Sequence, residues 1–248
     1  PDNVGEYKDD YVYLGHTRLS ISDLTSDGNQ PFKIKEYKDY ILIYNGEIFN
    51  TSRLKEILNK KNIFPKTKCD TEILYLLLVN FGFKKTINLI EGMFAFAFYD
   101  KKNKLIWISR DHLGIKPLFF SLHNGFSFSS TIEGLSIYLR ELKDSQLSIN
   151  KYGIVSYLQF GYSLPKSQIY NEIEALLPGY FGCFDINKNN FIYEKWYEIP
   201  KLDKKISISK YLNSKKNILQ KTDLILEEVI NEQSISDAQG SIFLSGGI

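Results

Sequence analysis

The chain has 248 residues, 43% of them hydrophobic and 15% aromatic, enough for one large packed domain or one domain plus part of a second. Its net charge of +2, with 24% charged residues, carries no footprint for nucleic acid or for a membrane surface. No apolar run is long enough to span a bilayer and no signal peptide is visible; the two cysteines, Cys69 and Cys183, make neither a disulfide framework nor a metal-ligand spacing, so the sequence reads as cytoplasmic with no metal site.

In chain order, residues 1–10 are polar and acidic and read as a loop. Residues 11–14 alternate as a strand does, before Gly15-His16. Arg18 to Ser22 form a short extended piece that ends in the turn cluster Thr25 to Gly28. The run Tyr40-Ile41-Leu42-Ile43-Tyr44 has the aromatic and β-branched composition of a buried strand, and the Asn45-Gly46 that follows predicts a tight turn. Asn50 is placed to cap a helix over about 51–60 with Leu54, Ile57 and Leu58 as its stripe. Asp70 then caps a second helix, whose buried face is Ile73, Leu74, Leu77 and Leu78, and a third covers about 84–90.

From here the period changes to two. Residues 93–99 put Phe94, Phe96 and Phe98 on one face and Ala95 and Ala97 on the other, and the small alanines predict a second layer packed close. A turn at 100–103 leads to a return strand at 105–109. Residues 110–117 form a long turn in which Arg110 and Asp111 read as an ion pair. A hairpin folds about Asn124-Gly125, a helix lies near 151–159, and Leu177-Pro178-Gly179-Tyr180 turns into strands at 180–184 and 191–196. Residues 200–205 read as a linker, 209–232 as helices and 241–244 as a buried strand leading into Ser245-Gly246-Gly247. The sum is an α+β domain.

Two features carry chemistry. Only four of the 31 basic residues are arginine, so an arginine inside an apolar stretch, as at Arg18 and Arg110, points to a need for its planar fork. The Asn45 amide and the Gly46 backbone N–H are the pair of donors an oxyanion requires, and Glu47 adds a carboxylate suited to an ammonium. The plainer reading of the same stretch is an ordinary turn with a solvated glutamate. His16 reads as a packed or hydrogen-bonded histidine, and Asp70 as a helix cap, an ammonium ligand or both.

Five ordered stretches, namely Leu14-Gly15-His16-Thr17-Arg18-Leu19-Ser20-Ile21, Tyr44-Asn45-Gly46-Glu47-Ile48-Phe49-Asn50, Cys69-Asp70-Thr71-Glu72, Glu91-Gly92-Met93-Phe94-Ala95-Phe96-Ala97 and the Arg110 to Leu118 turn, resemble the class II glutamine amidotransferase domain of glutamine-hydrolysing asparagine synthetases. Pro1-Asp2 looks like the end of that family's Arg-Gly-Pro-Asp segment, and Leu177-Pro178-Gly179 resembles its Leu-Pro-Pro-Gly turn. Phe243-Leu244-Ser245-Gly246-Gly247 looks like the start of its pyrophosphate-binding loop.

The resemblance implies an Ntn-hydrolase fold, a four-layer αββα sandwich over 1–200, then a linker at 201–208. The start of an α/β ATP-pyrophosphatase-type synthetase domain would follow at 209–248. It implies that an N-terminal cysteine thiolate attacks glutamine with its own α-amine as base, and that the ammonia released amidates aspartate with ATP and Mg²⁺. Carried over residue by residue, Arg18 would grip the glutamine α-carboxylate and the backbone of Leu19, Ser20, Ile21 and Ser22 would line the pocket. Asn45 and Gly46 would be the oxyanion donors, Glu47 and Asp70 would hold the α-ammonium, and Leu244, Ser245, Gly246 and Gly247 would begin the ATP site.

The chain departs from the family at its nucleophile. It opens Pro1-Asp2-Asn3 without an initiator Met and closes in a Gly-rich turn, so we expect a fragment of a longer protein that does not by itself hydrolyse glutamine. Cys69 and Cys183 are internal and lack the free amine, and the carboxylate beside Cys69 raises a thiol pKa. Two other readings stay open: an amidotransferase that aminates a sugar or secondary metabolite, and a non-catalytic amidotransferase-like scaffold. The sequence leaves a homodimer open as well.

Overall fold

The structure, a computed structural model, describes residues 1–19, 25–142, 146–201 and 215–234. The chain starts not as a loop but as an antiparallel ribbon of β1 (Asn3–Lys8) and β2 (Tyr13–Arg18), in register from Asn3 opposite Arg18 to Lys8 opposite Tyr13. The inward positions of β1 are Asn3, Gly5 and Tyr7, of which only Tyr7 is a large apolar residue, so hydrophobic patterning does not reveal the strand.

The core is built on β3 (Tyr40–Ile48) and β4 (Gly92–Asp100), which pair antiparallel along their whole length. Between them in sequence lie α1 (Thr51–Asn59), α2 (Asp70–Phe81) and α3 (Phe83–Ile87). After β4 come β5 (Leu105–Arg110), the hairpin β6 (Phe119–Ser121) and β7 (Ser127–Ser129), then α4 (Ile132–Glu141) and α5 (Lys151–Phe160). The described chain ends with β8 (Glu174–Ala175), β9 (Tyr180–Asp185), β10 (Asn190–Lys195) and α6 (Lys215–Gln233). The main sheet has the order β10-β9-β5-β4-β3 and a second sheet the order β7-β6-β8.

Side-chain alternation stacks these elements in four layers. Leu42, Tyr44 and Ile48 of β3 and Phe94, Phe96 and Phe98 of β4 pack under α1, α2 and α3. On the opposite face Ile41, Ala95, Ala97, Tyr99 and Ile108 meet Val12 and Leu14 of the ribbon and Phe120 of the second sheet. The alanines do mark a closely packed second layer. Phe119, pointing away from Phe120, meets Leu135 and Leu139 of α4. The result is α, β, β, α, the layering that the resemblance implies.

Several local expectations change. β3 does not turn at Asn45-Gly46 but runs through to Ile48. Gly46 lies where the strands are so close that a Cβ would fall 2.1 Å from the Met93 carbonyl oxygen, and Gly92, opposite Ile48, is equally tight against Glu47. Glycine here serves close approach, not a turn. Asn50 sits at the start of α1 without capping it: its side chain instead donates to Leu89 O (2.9 Å) and accepts from Glu91 N (3.0 Å), tying α1 to the turn before β4. Arg110 and Asp111 organise their turn separately through backbone groups. The Arg110 guanidinium donates to the carbonyls of Gly114, Lys116 and Leu176, whereas the Asp111 carboxylate accepts from Phe94, Leu113, Ile115 and Lys116 N–H groups. α4 is an element the sequence reading passes over, although Thr131 caps it through Gly134 N and Leu135 and Leu139 have helical spacing. The expected strand at 241–244 and most of the linker lie outside the described residues.

Leu74 is fully buried beneath the main sheet, so Leu74→Ala is expected to lower unfolding free energy by about 2–5 kcal/mol in urea titration. Ile137, half exposed on α4, should change it by less than about 0.5 kcal/mol when truncated to Ala.

Candidate functional site

β3 is the edge of the main sheet, and an edge strand has a row of backbone groups that need partners. The partners alternate along the row. Leu42 exchanges two backbone hydrogen bonds with Phe32, at 2.7 and 3.0 Å. Two residues on, the Gln30 side-chain amide takes the place of a strand: Tyr44 N donates to Oε1 (2.6 Å) and Nε2 donates to Tyr44 O (2.9 Å). Two residues further is Gly46. Beyond it, Ile48 N donates to Asp70 Oδ2 (3.0 Å). Gly46 cannot turn its own groups inward to β4, because its opposite residue Phe94 is committed on the far side: its N donates to Asp111 Oδ2 (3.2 Å) and its O accepts from Asp111 N (2.8 Å). The period of two therefore aims the Gly46 N–H outward from the edge.

Outward from that edge is a cleft of about 810 Å³ between β3, the ribbon and the second sheet. Arg18, Leu19, Asn45, Gly46, Glu47 and Asp70, all singled out from sequence, line it together. Ser20, Ile21 and Ser22 lie outside the described residues, as do Leu244, Ser245, Gly246 and Gly247. Asn45 and Glu47 share the β3 face of Ile41 and Ile43, which puts their side chains on the cleft side of the sheet.

Each wall has its own anchor. Arg18 ends β2, is 6% exposed, and donates through Nη1 to Thr25 O (2.6 Å) and Asn29 Oδ1 (3.1 Å). Asp70 is the first residue of α2, not its cap; Cys69 occupies the cap position without a side-chain bond. The Asp70 carboxylate reaches back to β3, where Oδ2 accepts from Tyr44 Oη (2.6 Å) as well as from Ile48 N. Burial raises its pKa, although these hydrogen bonds pull the other way. Burial and the adjacent Asp70 also push the Tyr44 phenol well above its usual value. His16, as its hydrogen-bonded reading predicts, places Nε2 3.1 Å from Tyr44 O; since a carbonyl only accepts, Nε2 carries the proton. Burial holds this imidazole below its usual pKa.

Cys69 lines the cleft too, with Sγ 3.7 Å from Asp70 Oδ1. Burial first and Asp70 second raise its thiol pKa, the opposite of what a nucleophile requires. Cys183 lies in β9, away from the cleft, and is pushed up to about 12 by burial. Among the described residues no cluster of three or more His, Cys, Asp or Glu could hold a metal ion, and no helix is long and apolar enough to cross a membrane. Gln30 is the residue sequence reading misses. It stands in a turn cluster, Asn29-Gln30-Pro31, where nothing in the pattern marks a buried amide with two backbone partners.

A raised Asp70 pKa has a consequence for stability. The protonated form is favoured on folding, so the contribution is full below the ordinary value of 3.8 and is lost as pH rises through the raised folded value. Asp70→Asn keeps an oxygen acceptor for Tyr44 and Ile48. The stability of the native protein relative to Asp70→Asn should therefore fall as pH rises from below 3.8 toward neutrality, read by urea unfolding of both proteins at each pH.

Residues 1–197 match the family model described as a glutamine amidotransferase domain. The chain is 32% identical over 266 residues to a putative glutamine-hydrolysing asparagine synthetase 2 of Methanocaldococcus jannaschii, covering 100% of this chain and 49% of that protein. It is 28% identical to the glutamine-hydrolysing asparagine synthetase 3 of Bacillus subtilis, covering 100% of this chain and 38% of that one. The chain thus spans about half, or less, of the relatives it matches. Among solved structures, the glutamine phosphoribosylpyrophosphate amidotransferase of B. subtilis superposes over 75% of this chain and 35% of its own, with a TM-score of 0.50 and 17% identity. That likeness bears on the fold, and the fold is that of the Ntn-hydrolase class II amidotransferases. The chain belongs to the glutamine amidotransferase domain family.

Proposed function

We propose that the cleft at the β3 edge is a glutamine site, and that in the full-length protein it releases ammonia for ATP-dependent amidation of aspartate. The observation that carries this is the convergence in one cleft of a buried guanidinium, two carboxylates and an outward-facing backbone N–H beside a carboxamide. Those groups complement the α-carboxylate, the α-ammonium and the side-chain carbonyl of glutamine. Arg18 takes the carboxylate through a charge-assisted pair. Glu47 and Asp70 take the ammonium, and Asp70, held by Tyr44 and Ile48, is fixed in place before the ligand arrives.

In this reading an N-terminal cysteine of the full-length protein attacks the side-chain carbonyl carbon. Asn45 and Gly46 stabilise the oxyanion that develops, at roughly 3 kcal/mol of barrier per donor. Collapse of that intermediate breaks the C–N bond and releases ammonia, and water then hydrolyses the thioester to glutamate. Residues 1–200 act as the glutaminase domain, 201–208 as a linker, and 209–248 open a synthetase domain in which Leu244, Ser245, Gly246 and Gly247 would help hold ATP, which with Mg²⁺ would supply the energy for amidation. The family membership and the match of the whole of this chain to part of relatives named as asparagine synthetases support this reading over the sugar and scaffold alternatives.

The test uses the full-length protein. Loss of a hydrogen-bonded charge pair of this kind corresponds to roughly a 10- to 150-fold rise in the glutamine requirement for Arg18→Ala, with ammonia-dependent asparagine formation unchanged. Equal loss of both activities would make Arg18 structural. Absence of aspartate-dependent turnover in the native protein would redirect the reading to another acceptor.

A further inference from the structure

We infer that the short loop 25–30 is a coupling element, and that Gln30 is a positioning residue for the oxyanion donors of the glutamine site. The inference rests on the reading of that site given above. The loop holds the Arg18 guanidinium at two points, Thr25 O at its start and Asn29 Oδ1 just before Gln30. Gly28 lets the guanidinium lie against the loop, since a Cβ there would be 2.3 Å from Nη2. The other end holds β3: the Gln30 amide, 7% exposed, clamps both backbone groups of Tyr44. The Tyr44 carbonyl belongs to the peptide that carries the Asn45 N–H, so the clamp fixes the plane from which both Asn45 and Gly46 extend.

The loop itself is seated. The Gln30 carbonyl is pressed onto β1 so closely that a Cβ at Gly5 would lie 2.1 Å from it. His16 Nε2 adds a second donor to the Tyr44 carbonyl from β2. Six residues thus link the group that would take the ligand's carboxylate to the strand that would take its carbonyl. A side-chain amide, unlike a paired strand, clamps one residue only and ends there, which leaves the next edge position, Gly46, open to a ligand.

The two ends predict different kinetic signatures in the full-length protein. Gln30→Leu removes the clamp, and a donor displaced by about an ångström lowers glutaminase kcat by roughly 10- to 100-fold with little change in the glutamine KM. Gln30→Glu keeps the acceptor for Tyr44 N but loses the donor to Tyr44 O, and should lower kcat in the same sense; it carries the test if Gln30→Leu does not fold. Gly28→Ala, which displaces Arg18, should instead raise KM with a smaller effect on kcat. Ammonia-dependent synthesis should be unchanged in all three. Unchanged kcat in both Gln30 variants, or equal loss of the ammonia-dependent activity, would overturn the inference.

Amide hydrogen exchange over residues 44–46 reads the clamp without catalysis. Faster exchange in Gln30→Leu is expected, and unchanged exchange would overturn the inference even in a protein with no glutaminase activity. A native protein that neither binds nor hydrolyses glutamine, together with faster exchange in Gln30→Leu, would overturn the proposed function and keep the clamp.

Discussion

The site depends on one constraint: an edge strand in a packed domain must satisfy its outward backbone groups, and on β3 this is done by groups other than a full neighbouring strand, with Gly46 left facing the cleft. Phe32, Gln30 and Asp70 take the positions at Leu42, Tyr44 and Ile48. The position between the last two is Gly46, which borders the cleft. Phe32 and Gln30 come from one short segment and Asp70 from the start of α2, so the edge is closed without a neighbouring strand that would also have covered Gly46. The same arrangement explains why α2 begins where it does. Asp70 reaches β3 from the helix N-terminus, where its carboxylate bonds Tyr44 and Ile48.

Alternation along β3 divides labour between the two faces. Leu42, Tyr44 and Ile48 point to the helical layer and supply rigidity. Asn45 and Glu47 follow Ile41 and Ile43 on the other face and reach the cleft. The cleft floor is set by Ala95 and Ala97, whose small side chains let the second β layer approach β4. The aromatic stripe of Phe94, Phe96 and Phe98 is core on the helix side. Donors held by a rigid scaffold need no reorganisation as charge develops on an oxyanion.

The parts of this legible in sequence are those governed by period and by local chemistry. The β4 stripe and the Asn124-Gly125 hairpin follow from spacing and turn residues, whereas α2 buries Asp70 to Leu78 on every side and not only the face of Ile73, Leu74, Leu77 and Leu78. Arg18, Asn45, Gly46, Glu47 and Asp70 do meet in one cleft. What sequence reading loses is what tertiary contact decides. Asn45-Gly46 has turn chemistry, but pairing with β4 keeps it extended, and the glycine is needed for strand approach. β1 carries too few apolar residues to show a period, because Gly5 is kept small for the Gln30 backbone. Asn50 and Asp70 are cap residue types whose side chains find long-range partners instead. Gln30 has no local signature at all, since its role exists only once β3 lies beside it.

The most direct test of the account is the amide spectrum of the described domain in the full-length protein, followed during titration with glutamine. A glutamine site at the β3 edge predicts a saturable shift centred on the Gly46 and Asn45 amides, accompanied by the Arg18 side chain and absent in Arg18→Ala. Saturable binding that leaves Gly46 and Asn45 unmoved would contradict it.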